Sequence, residues 1–231
     1  MKIESLEISK NSQQLFDNFN EFMMSSDKRV FNKLIARALL YNSVKDVPGD
    51  IVECGVFKGT GLYTFLKLKR LFNPNGSKKV IGFDFFDTKA LLSSIKSEQD
   101  KEAMSTLFNG RNFEHSGTYK ELLTGHIKSN GFTEDDFILV EGDIVETSRA
   151  FVEENPGFKV SLLYMDLDLE EPTYETLCNL WNRVSKGGII IFDEYGYHKW
   201  SESLGVDRFI EEKGLEIVHL DYYCPTAFIK K

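Results

Sequence analysis

Apolar residues along the chain change their spacing several times, and each change predicts a different element. In the first 45 residues they recur three or four positions apart, which predicts helices over 12–24 and 28–45. We expect Phe16 and Phe19, part of an aromatic stripe on the first helix, to make ordinary core contacts. Two further roles stay open for this pair of helices, namely to cap a site or to pack against another copy of the chain in a homo-oligomer.

Five short apolar runs further along the chain predict buried strands, at 50–53, 79–84, 137–143, 160–165 and 189–192. Helical spacing between and after them predicts helices over 60–72, 145–154, 172–184 and 203–213, and two short strands are predicted at 215–220 and 225–230. Parallel neighbours need crossover connections, so this alternation predicts an α/β fold, with a mostly parallel sheet and helices on both faces.

The segment 85–136 is long and mostly polar, with weak helical patterns near 89–108 and 117–129. Insertions of this length in compact domains are often functional lids, so we interpret it as a lid over a site, with surface decoration as the alternative. A chain of 231 residues is long enough for one hydrophobic core. We therefore predict a single domain over 1–231, with an N-terminal helical cap over 1–47.

A glycine-rich loop follows the first strand, in the pattern Glu53-x-Gly55-x-x-x-Gly59. Glycines let a backbone turn sharply and come close to a ligand, and the next helix presents its N-terminal amides. The spacing differs from the dinucleotide fingerprint Gly-x-Gly-x-x-Gly. A glycine turn with a purely structural role is the alternative.

Each of the five predicted strands ends in an acidic residue or is followed directly by one. Ligands of open α/β sheets bind at the carboxyl ends of the strands, where these acids lie. Asp84 is placed to accept hydrogen bonds from both hydroxyls of a ribose. Asp143 is placed to accept a hydrogen bond from the amino group of an adenine. S-adenosylmethionine fits this pattern, with its amino-acid end in the glycine loop. NAD is the competing occupant, and helix capping is the structural alternative for both acids.

A second group of acids consists of Asp166, Asp168, Asp193 and Glu194. Mg²⁺ is held by a few carboxylate oxygens, and strands that are neighbours would supply them from two sides. If the fourth strand continued, Asp166 and Asp168 would share a face, so that one could bind metal while the other faced a substrate. Solvated acids at strand ends are the alternative.

The composition narrows the class of partner. With 28 basic and 36 acidic residues the net charge is −8, which opposes binding to nucleic acid or to an anionic membrane and favours a small molecule. We expect Cys54, Cys178 and Cys224 to be reduced packing residues. No segment resembles a signal peptide or a membrane span, which predicts a cytoplasmic protein.

Six motifs resemble, in their order, those of the macrocin O-methyltransferase (TylF/MycF) family: VECGVFKGTG at 52–61, GFDFF at 82–86, EGD at 141–143, YMDLDLEEPT at 164–173, KGGIIIFDEYG at 186–196 and GVDRF at 205–209. The resemblance spans roughly residues 48–215. It implies a Rossmann-like, seven-stranded methyltransferase fold. It also implies S-adenosylmethionine- and Mg²⁺-dependent methylation of a sugar hydroxyl on an antibiotic, a nucleotide-activated sugar or a glycan.

Carried onto matching positions, the resemblance implies that Glu53 and Asp84 contact the cofactor and that Asp166, Asp193 and Glu194 bind Mg²⁺. The other cofactor-binding candidates are Gly55, Gly59, Thr60, Phe85 and Asp143.

The proton acceptor has two candidates. The resemblance makes Asp168 the general base, and His115, in the predicted lid, is the alternative, since histidine accepts protons near neutral pH. The chain departs from the family at Glu194, where aspartate is common, and at Glu170, where tyrosine is common. These departures leave open the metal contact of Glu194 and the substrate contacts near Glu170.

We therefore predict an S-adenosylmethionine- and Mg²⁺-dependent O-methyltransferase that acts on a vicinal diol of a sugar or glycoside. A nicotinamide-dependent oxidoreductase is one alternative, but the sequence shows no hydride-relay residue. A cofactor-binding module without catalysis is the other, and it would have no use for Asp168 beside Asp166.

Overall fold

The computed structural model describes residues 8–111 and 119–231. Its strands are β1 (Asp50–Cys54), β2 (Val80–Asp84), β3 (Phe137–Glu141), β4 (Val160–Met165), β5 (Val184–Phe192), β6 (Val218–His219) and β7 (Ala227–Lys230). They form one seven-stranded sheet in the order β3-β2-β1-β4-β5-β7-β6. The first five strands run parallel, and β7 is antiparallel to both β5 and β6. The predicted α/β fold with a mostly parallel sheet is confirmed.

The helices of the described residues are α1 (Ile8–Met24), α2 (Arg29–Val44), α3 (Thr60–Phe72), α4 (Thr88–Ser94), α5 (Glu98–Gly110), α6 (Tyr119–Ser129), α7 (Ile144–Glu154), α8 (Glu170–Leu180) and α9 (Glu202–Lys213). Helices α4, α5 and α6 lie within the predicted insertion. In the part of the chain that the structure describes, every helix is too short or too polar to cross a membrane.

Two apolar layers cover the sheet, because successive side chains of a strand point to opposite faces. Ile51 of β1 belongs to a buried cluster with Phe65 of α3. Its neighbour Val52 belongs to a second cluster, with Leu177 of α8 and Phe209 of α9. Burying each such side chain stabilises the fold by roughly 1.5 to 3 kcal/mol, so the two layers fix the positions of the strand ends.

The boundary between α8 and β5 differs from the prediction. The helix predicted to reach Val184 ends at Leu180, a single 3-10 turn follows, and β5 already begins at Val184. Gly187 therefore lies inside β5, with φ at 87°. The pairing with β4 jumps there, from Val184 to Ile189, because a glycine in the left-handed region lets the strand bulge.

The expectation that the aromatic stripe of α1 makes core contacts is wrong. Phe16 and Phe19 are 63% and 59% exposed, although their spacing is helical as predicted. On α2, by contrast, Ala36, Leu40 and Val44 are buried. Helical spacing predicts an apolar face, but it does not determine what covers that face.

Candidate active site

A cavity of about 1090 Å³ lies beyond the carboxyl ends of the parallel strands. Its wall includes Gly55 after β1, Asp84 of β2, Asp143 after β3, and Asp166 and Asp168 after β4. Because the chain moves from β1 to β2 on one side and reaches β4 on the other, the strand order reverses at this point. Ligands of open α/β sheets bind at such a reversal.

The glycine loop runs directly against the end of β4. Gly55 has φ at 89°, and a Cβ there would lie 2.0 Å from the carbonyl oxygen of Asp166, so only glycine fits. Gly55 lines the cavity. Gly59 and Thr60, two of the cofactor-binding candidates, are not among the described residues that line it.

The carboxylate of Asp84 holds the glycine loop in place. Its Oδ2 accepts hydrogen bonds from the backbone N–H groups of Val56 at 2.8 Å and Phe57 at 2.9 Å, and its Oδ1 accepts one from Phe86 at 2.9 Å. Burial raises the pKa of Asp84, and these backbone hydrogen bonds oppose the rise. A carboxylate accepts about four hydrogen bonds, so these backbone groups take up most of its acceptor capacity. Phe85, another cofactor-binding candidate, lines the same cavity.

Asp143 combines the two roles weighed for it. Its Oδ1 accepts a hydrogen bond from Val145 N at 3.0 Å and so caps α7, as the structural alternative predicts. It also lines the cavity.

Glu53 lies away from the cavity, on the side of the sheet that α2 covers. It is 1% exposed, and its Oε1 lies 3.3 Å from the Arg37 guanidinium. A Cβ at Gly61 would come within 1.7 Å of that oxygen, which accounts for glycine at that position. Burial raises the pKa of Glu53 to about 8, against the opposing charge of Arg37. The structure therefore does not bring Glu53 to the cavity wall with the other cofactor-binding candidates.

Two basic residues of α2 reach the second group of acids. Lys33 Nζ lies 2.6 Å from Asp193 Oδ2 and 3.1 Å from Asp166 Oδ2. One turn later, Arg37 lies 3.8 Å from Asp166 Oδ2. The apolar spacing of α2 predicts a helix but does not point to these residues. Their separation of four positions, which puts them on one helix face, is the only sign of them in the sequence.

Asp193, a predicted metal ligand, is completely buried. Its Oδ1 accepts a hydrogen bond from the Tyr164 hydroxyl, and Cys224 Sγ lies 2.7 Å from its Oδ2. Burial acts to raise the pKa of Asp193, but the charges of Lys33 and Arg37 outweigh it and hold that pKa below its usual value. Cys224 is thus part of the site, which corrects the expectation that it only packs.

Asp166 and Asp168 do not share a strand face, because β4 ends at Met165. Asp168 instead has φ at 64°, in the left-handed region, and lines the cavity. Burial, and next the charges of Asp166 and Glu194, raise its pKa well above the usual value. The alternation argument is therefore wrong, although the position of Asp168 beside the cavity agrees with it. His115, the other candidate base, lies outside the described residues.

A further buried acid, Glu202 of α9, lies beneath this group. Its backbone N–H donates to the Asp168 carbonyl at 3.2 Å, and its Oε1 accepts from the Glu194 backbone N–H at 3.4 Å. Burial raises the pKa of Glu202 well above its usual value, and burial also raises that of Glu194 to about 7. Nothing in the sequence pattern points to Glu202, because one acid in the first turn of a helix is ordinary.

The residues of this group fit a divalent cation. Asp193, Glu194 and Cys224 each offer a ligand atom, and these atoms lie within 4.8 Å of one another. The Oε2 atoms of Glu194 and Glu202 are buried and have no hydrogen-bond partner in the described part of the chain. Unpartnered carboxylate oxygens are costly to bury, and hard oxygen donors suit Mg²⁺. Lys33 is the competing cation at Asp166 and Asp193.

Similar proteins are known by both sequence and structure. The chain is 27% identical over 152 residues to the 8-demethyl-8-(2,3-dimethoxy-alpha-L-rhamnosyl)-tetracenomycin-C 4'-O-methyltransferase of Streptomyces olivaceus. The aligned region covers 64% of this chain and 54% of that relative. The chain therefore matches about half the length of this curated relative. The apo structure of CalS11, a TDP-rhamnose 3'-O-methyltransferase of calicheamicin biosynthesis, is 27% identical, with a TM-score of 0.73 over 100% of this chain and 88% of its own.

The structure of the O-methyltransferase NovP has the same fold, with a TM-score of 0.70, 22% identity, and coverage of 87% of this chain and 79% of its own. Together with CalS11 it confirms the predicted fold. Residues 19–228 match the macrocin-O-methyltransferase (TylF) family, which confirms the resemblance found in the six motifs. Because this match takes in the sheet, the cavity wall and both groups of acids, the chain belongs to the macrocin-O-methyltransferase (TylF) family.

Proposed function

We propose that this protein transfers the methyl group of S-adenosylmethionine to a hydroxyl of a sugar. One observation carries the proposal: Gly55, Asp84 and Asp143, expected around the cofactor, line the same cavity as Asp166 and Asp168, expected around the acceptor. Methyl transfer needs donor, acceptor and base within one enclosed space, because positioning supplies much of the rate.

On the cofactor side, S-adenosylmethionine supplies an electrophilic methyl group when bound. Asp84 lines the cavity where the ribose hydroxyls would lie, and its carboxylate fixes the loop that carries Gly55. Phe85 offers an apolar surface next to it, and Asp143 an acceptor for the adenine amino group. Glu53, Gly59 and Thr60 do not contact the cofactor directly in this proposal. Glu53 acts through its ion pair with Arg37, and Gly59 and Thr60 position the start of α3.

On the acceptor side, Asp166, Asp193 and Glu194 would hold Mg²⁺, whose chemistry is to lower the pKa of a hydroxyl bound to it. Asp168 takes the proton of the attacking hydroxyl. Its raised pKa suits this task, since a base with a pKa nearer to the working pH accepts a proton more effectively. His115 stays the alternative base.

A sugar is the proposed acceptor because the names of CalS11 and of the Streptomyces olivaceus relative both specify rhamnose or a rhamnosyl group. The cavity is large enough for a cofactor and a sugar together. Met104 and Phe108 of α5 line it, so the insertion 85–136 is proposed as a lid that excludes water. A cytoplasmic location is part of the proposal.

A homo-oligomer is proposed from the exposed faces of α1 and α2. Most of the described side chains of α1 are exposed, and a helix with little tertiary packing is marginal in water, so a partner would stabilise α1. A second copy of the chain suits it, since α1 carries Asp17 and Glu21 while α2 is preceded by Lys28 and begins with Arg29. Two such helix pairs packed antiparallel would bring opposite charges together around an apolar centre.

The proposal is tested by calorimetry and by an activity assay on the purified protein. S-adenosylhomocysteine should bind and NAD should not, and TDP-rhamnose or a rhamnosylated acceptor should gain one methyl group. The reaction should stop in excess EDTA and return with Mg²⁺. Binding of NAD without binding of S-adenosylhomocysteine would overturn the cofactor assignment, and full turnover in EDTA would overturn the metal requirement alone.

A further inference from the structure

Lys33 lies where the proposed metal would have to bind. Its Nζ is within hydrogen-bond distance of Asp193 Oδ2, at 2.6 Å, and of Asp166 Oδ2, at 3.1 Å. We propose that Lys33 is an internal cation of the site, and that its ammonium group and a divalent metal ion exclude each other on these carboxylates. This inference rests on the proposed Mg²⁺ site. It adds that Lys33 holds Asp166 and Asp193 together when no metal is bound.

The hydrogen bonds of Asp193 explain why the exchange must involve Lys33. Oδ1 accepts from the Tyr164 hydroxyl, which is itself buried. Oδ2 is contacted by Lys33 Nζ and by Cys224 Sγ. These two contacts take up both lone pairs of Oδ2, while Oδ1 has one contact among the described residues. A metal ion that binds Oδ2 therefore has to displace Lys33 or Cys224, and Lys33 is the more exposed of the two.

Two cations cannot share this oxygen. Mg²⁺ binds carboxylate oxygens at about 2.0 to 2.1 Å, so it would lie very close to an ammonium group on the same atom. The side chain of Asp193 is 1% exposed, and water therefore screens little of the repulsion. Binding of either cation must weaken binding of the other, and by reciprocity the effect is equal in both directions.

Lys33 can leave without any movement of its helix. Its side chain is 28% exposed and lines the cavity, so rotation of its flexible stem carries the ammonium group into the open space. The backbone stays in place because Ala36 and Leu40, on the same helix, are buried, and Leu40 belongs to the apolar cluster that covers one face of the sheet. Glu194 Oε2, which has no partner among the described residues, then completes the oxygen set for the metal.

Mn²⁺ binding to the full-length, cofactor-free protein tests the inference, since the electron paramagnetic resonance signal of free Mn²⁺ reports binding without any turnover. Lys33→Met should raise the affinity for Mn²⁺ by about 10- to 100-fold, the usual range of coupling between two sites. Lys199→Met is the matched control, because exposed Lys199 lines the same cavity and loses the same charge. It should change the affinity by less than about threefold, because salt screens exposed charges.

Asp193→Asn should abolish binding in the wild-type and Lys33→Met backgrounds, which places the ion at this site. Binding to wild type and Lys33→Met with equal affinity would overturn the exclusion and leave the proposed metal requirement intact. An equal rise in Lys199→Met would also overturn it, since general electrostatics would then explain the gain. No Mn²⁺ binding to any variant would overturn the metal site itself.

Folding of the variants gives a second readout. Without metal, Lys33→Met and Lys33→Gln should melt at lower temperature than wild type, because buried Asp193 and partly exposed Asp166 lose a counter-charge. Mn²⁺ should raise their melting temperatures more than that of wild type. If both variants stay unfolded with and without Mn²⁺, a metal cannot replace the ammonium group and the proposal is wrong.

Discussion

Asp84 serves both the local structure and the proposed cofactor site, so its removal should affect both. Asp84→Ala leaves three backbone N–H groups of the loop without their acceptor. We expect stability to fall, and binding of S-adenosylhomocysteine to weaken by about 1 to 3 kcal/mol, measured by calorimetry. Asp50→Ala is the matched control, because Asp50 also accepts a backbone hydrogen bond, from Lys79 N, at the other end of β1. It should lower stability and leave the affinity unchanged; equal losses of affinity would argue against a cofactor contact.

Asp168 is expected to act in the chemical step. Asn tolerates the left-handed backbone found at this position, so Asp168→Asn should keep the local structure. We expect kcat to fall by about 100- to 10,000-fold, with unchanged affinity for cofactor and metal. In the wild type the rate should rise with pH through a pKa above the usual aspartate value, because the base must first lose its proton. Recovery of the variant at high Mg²⁺ would make Asp168 a metal ligand and move the search for the base to His115.

Glu202 should make stability depend on pH. Its pKa is raised in the folded protein, so the folded state keeps a proton that the unfolded chain loses near pH 4.3. The free energy of unfolding should therefore fall as pH rises above that value, until Glu202 ionises in the folded state. Glu202→Gln removes this effect, and its stability relative to wild type should grow by about 1 kcal/mol per pH unit over the range in which the folded wild type keeps the proton. Urea unfolding at several pH values measures it; the same trend in Glu211→Gln, on the exposed side of α9, would contradict the assignment.

At the scale of elements, the buried pair Arg37 and Glu53 ties α2 to β1. At a pH above the Glu53 pKa of about 8, Arg37→Met leaves the ionised acid buried without its partner and should cost about 3 kcal/mol or more in the free energy of unfolding. Adding Glu53→Gln should recover much of that loss, because the unpaired charge is then gone. A urea-based double-mutant cycle measures the coupling. Lys45→Met, at the end of the same helix in the exposed pair with Asp46, should change stability by less than about 1 kcal/mol. Additive effects at Arg37 and Glu53 would mean that the pair is not coupled.

The α2 helix also connects the N-terminal segment to the site. The alternatives of capping the site and of packing against another copy are not exclusive, because α2 has two faces. Lys33 and Arg37 point to the acids, while Phe31, Leu34 and Leu39 are exposed. A partner on the exposed face would therefore lie one helix diameter from the cavity.

At the scale of the whole molecule, the apolar face of α1 predicts the oligomeric state. Light scattering after size exclusion should give a multiple of the 26.5 kDa chain mass. Replacing Phe16 and Phe19 together with Glu should reduce the mass to that of one chain, because charges would then occupy the apolar contact. Leu71→Glu, at a similarly exposed position on α3, should leave the oligomer intact. A wild-type protein that runs as a single chain would overturn the proposal.

Most of the fold follows from local sequence. Helix α3 has the predicted bounds, Thr60–Phe72, because its apolar spacing, the glycine before it and the turn after it all agree. The one large error in boundaries, at α8 and β5, arose where a glycine marks a bulge inside a strand as readily as it marks a strand's beginning.

The sequence alone determined the strands, their acidic ends and the family, because these depend on residues that are neighbours along the chain. Only the tertiary structure decided the partners of those acids. Lys33 meets Asp193 across 160 positions, and Cys224 meets it across 31, so no local pattern records either contact. Burial then raises the pKa of a carboxyl such as Glu202, because desolvation depends on every element packed around a group rather than on the segment that carries it.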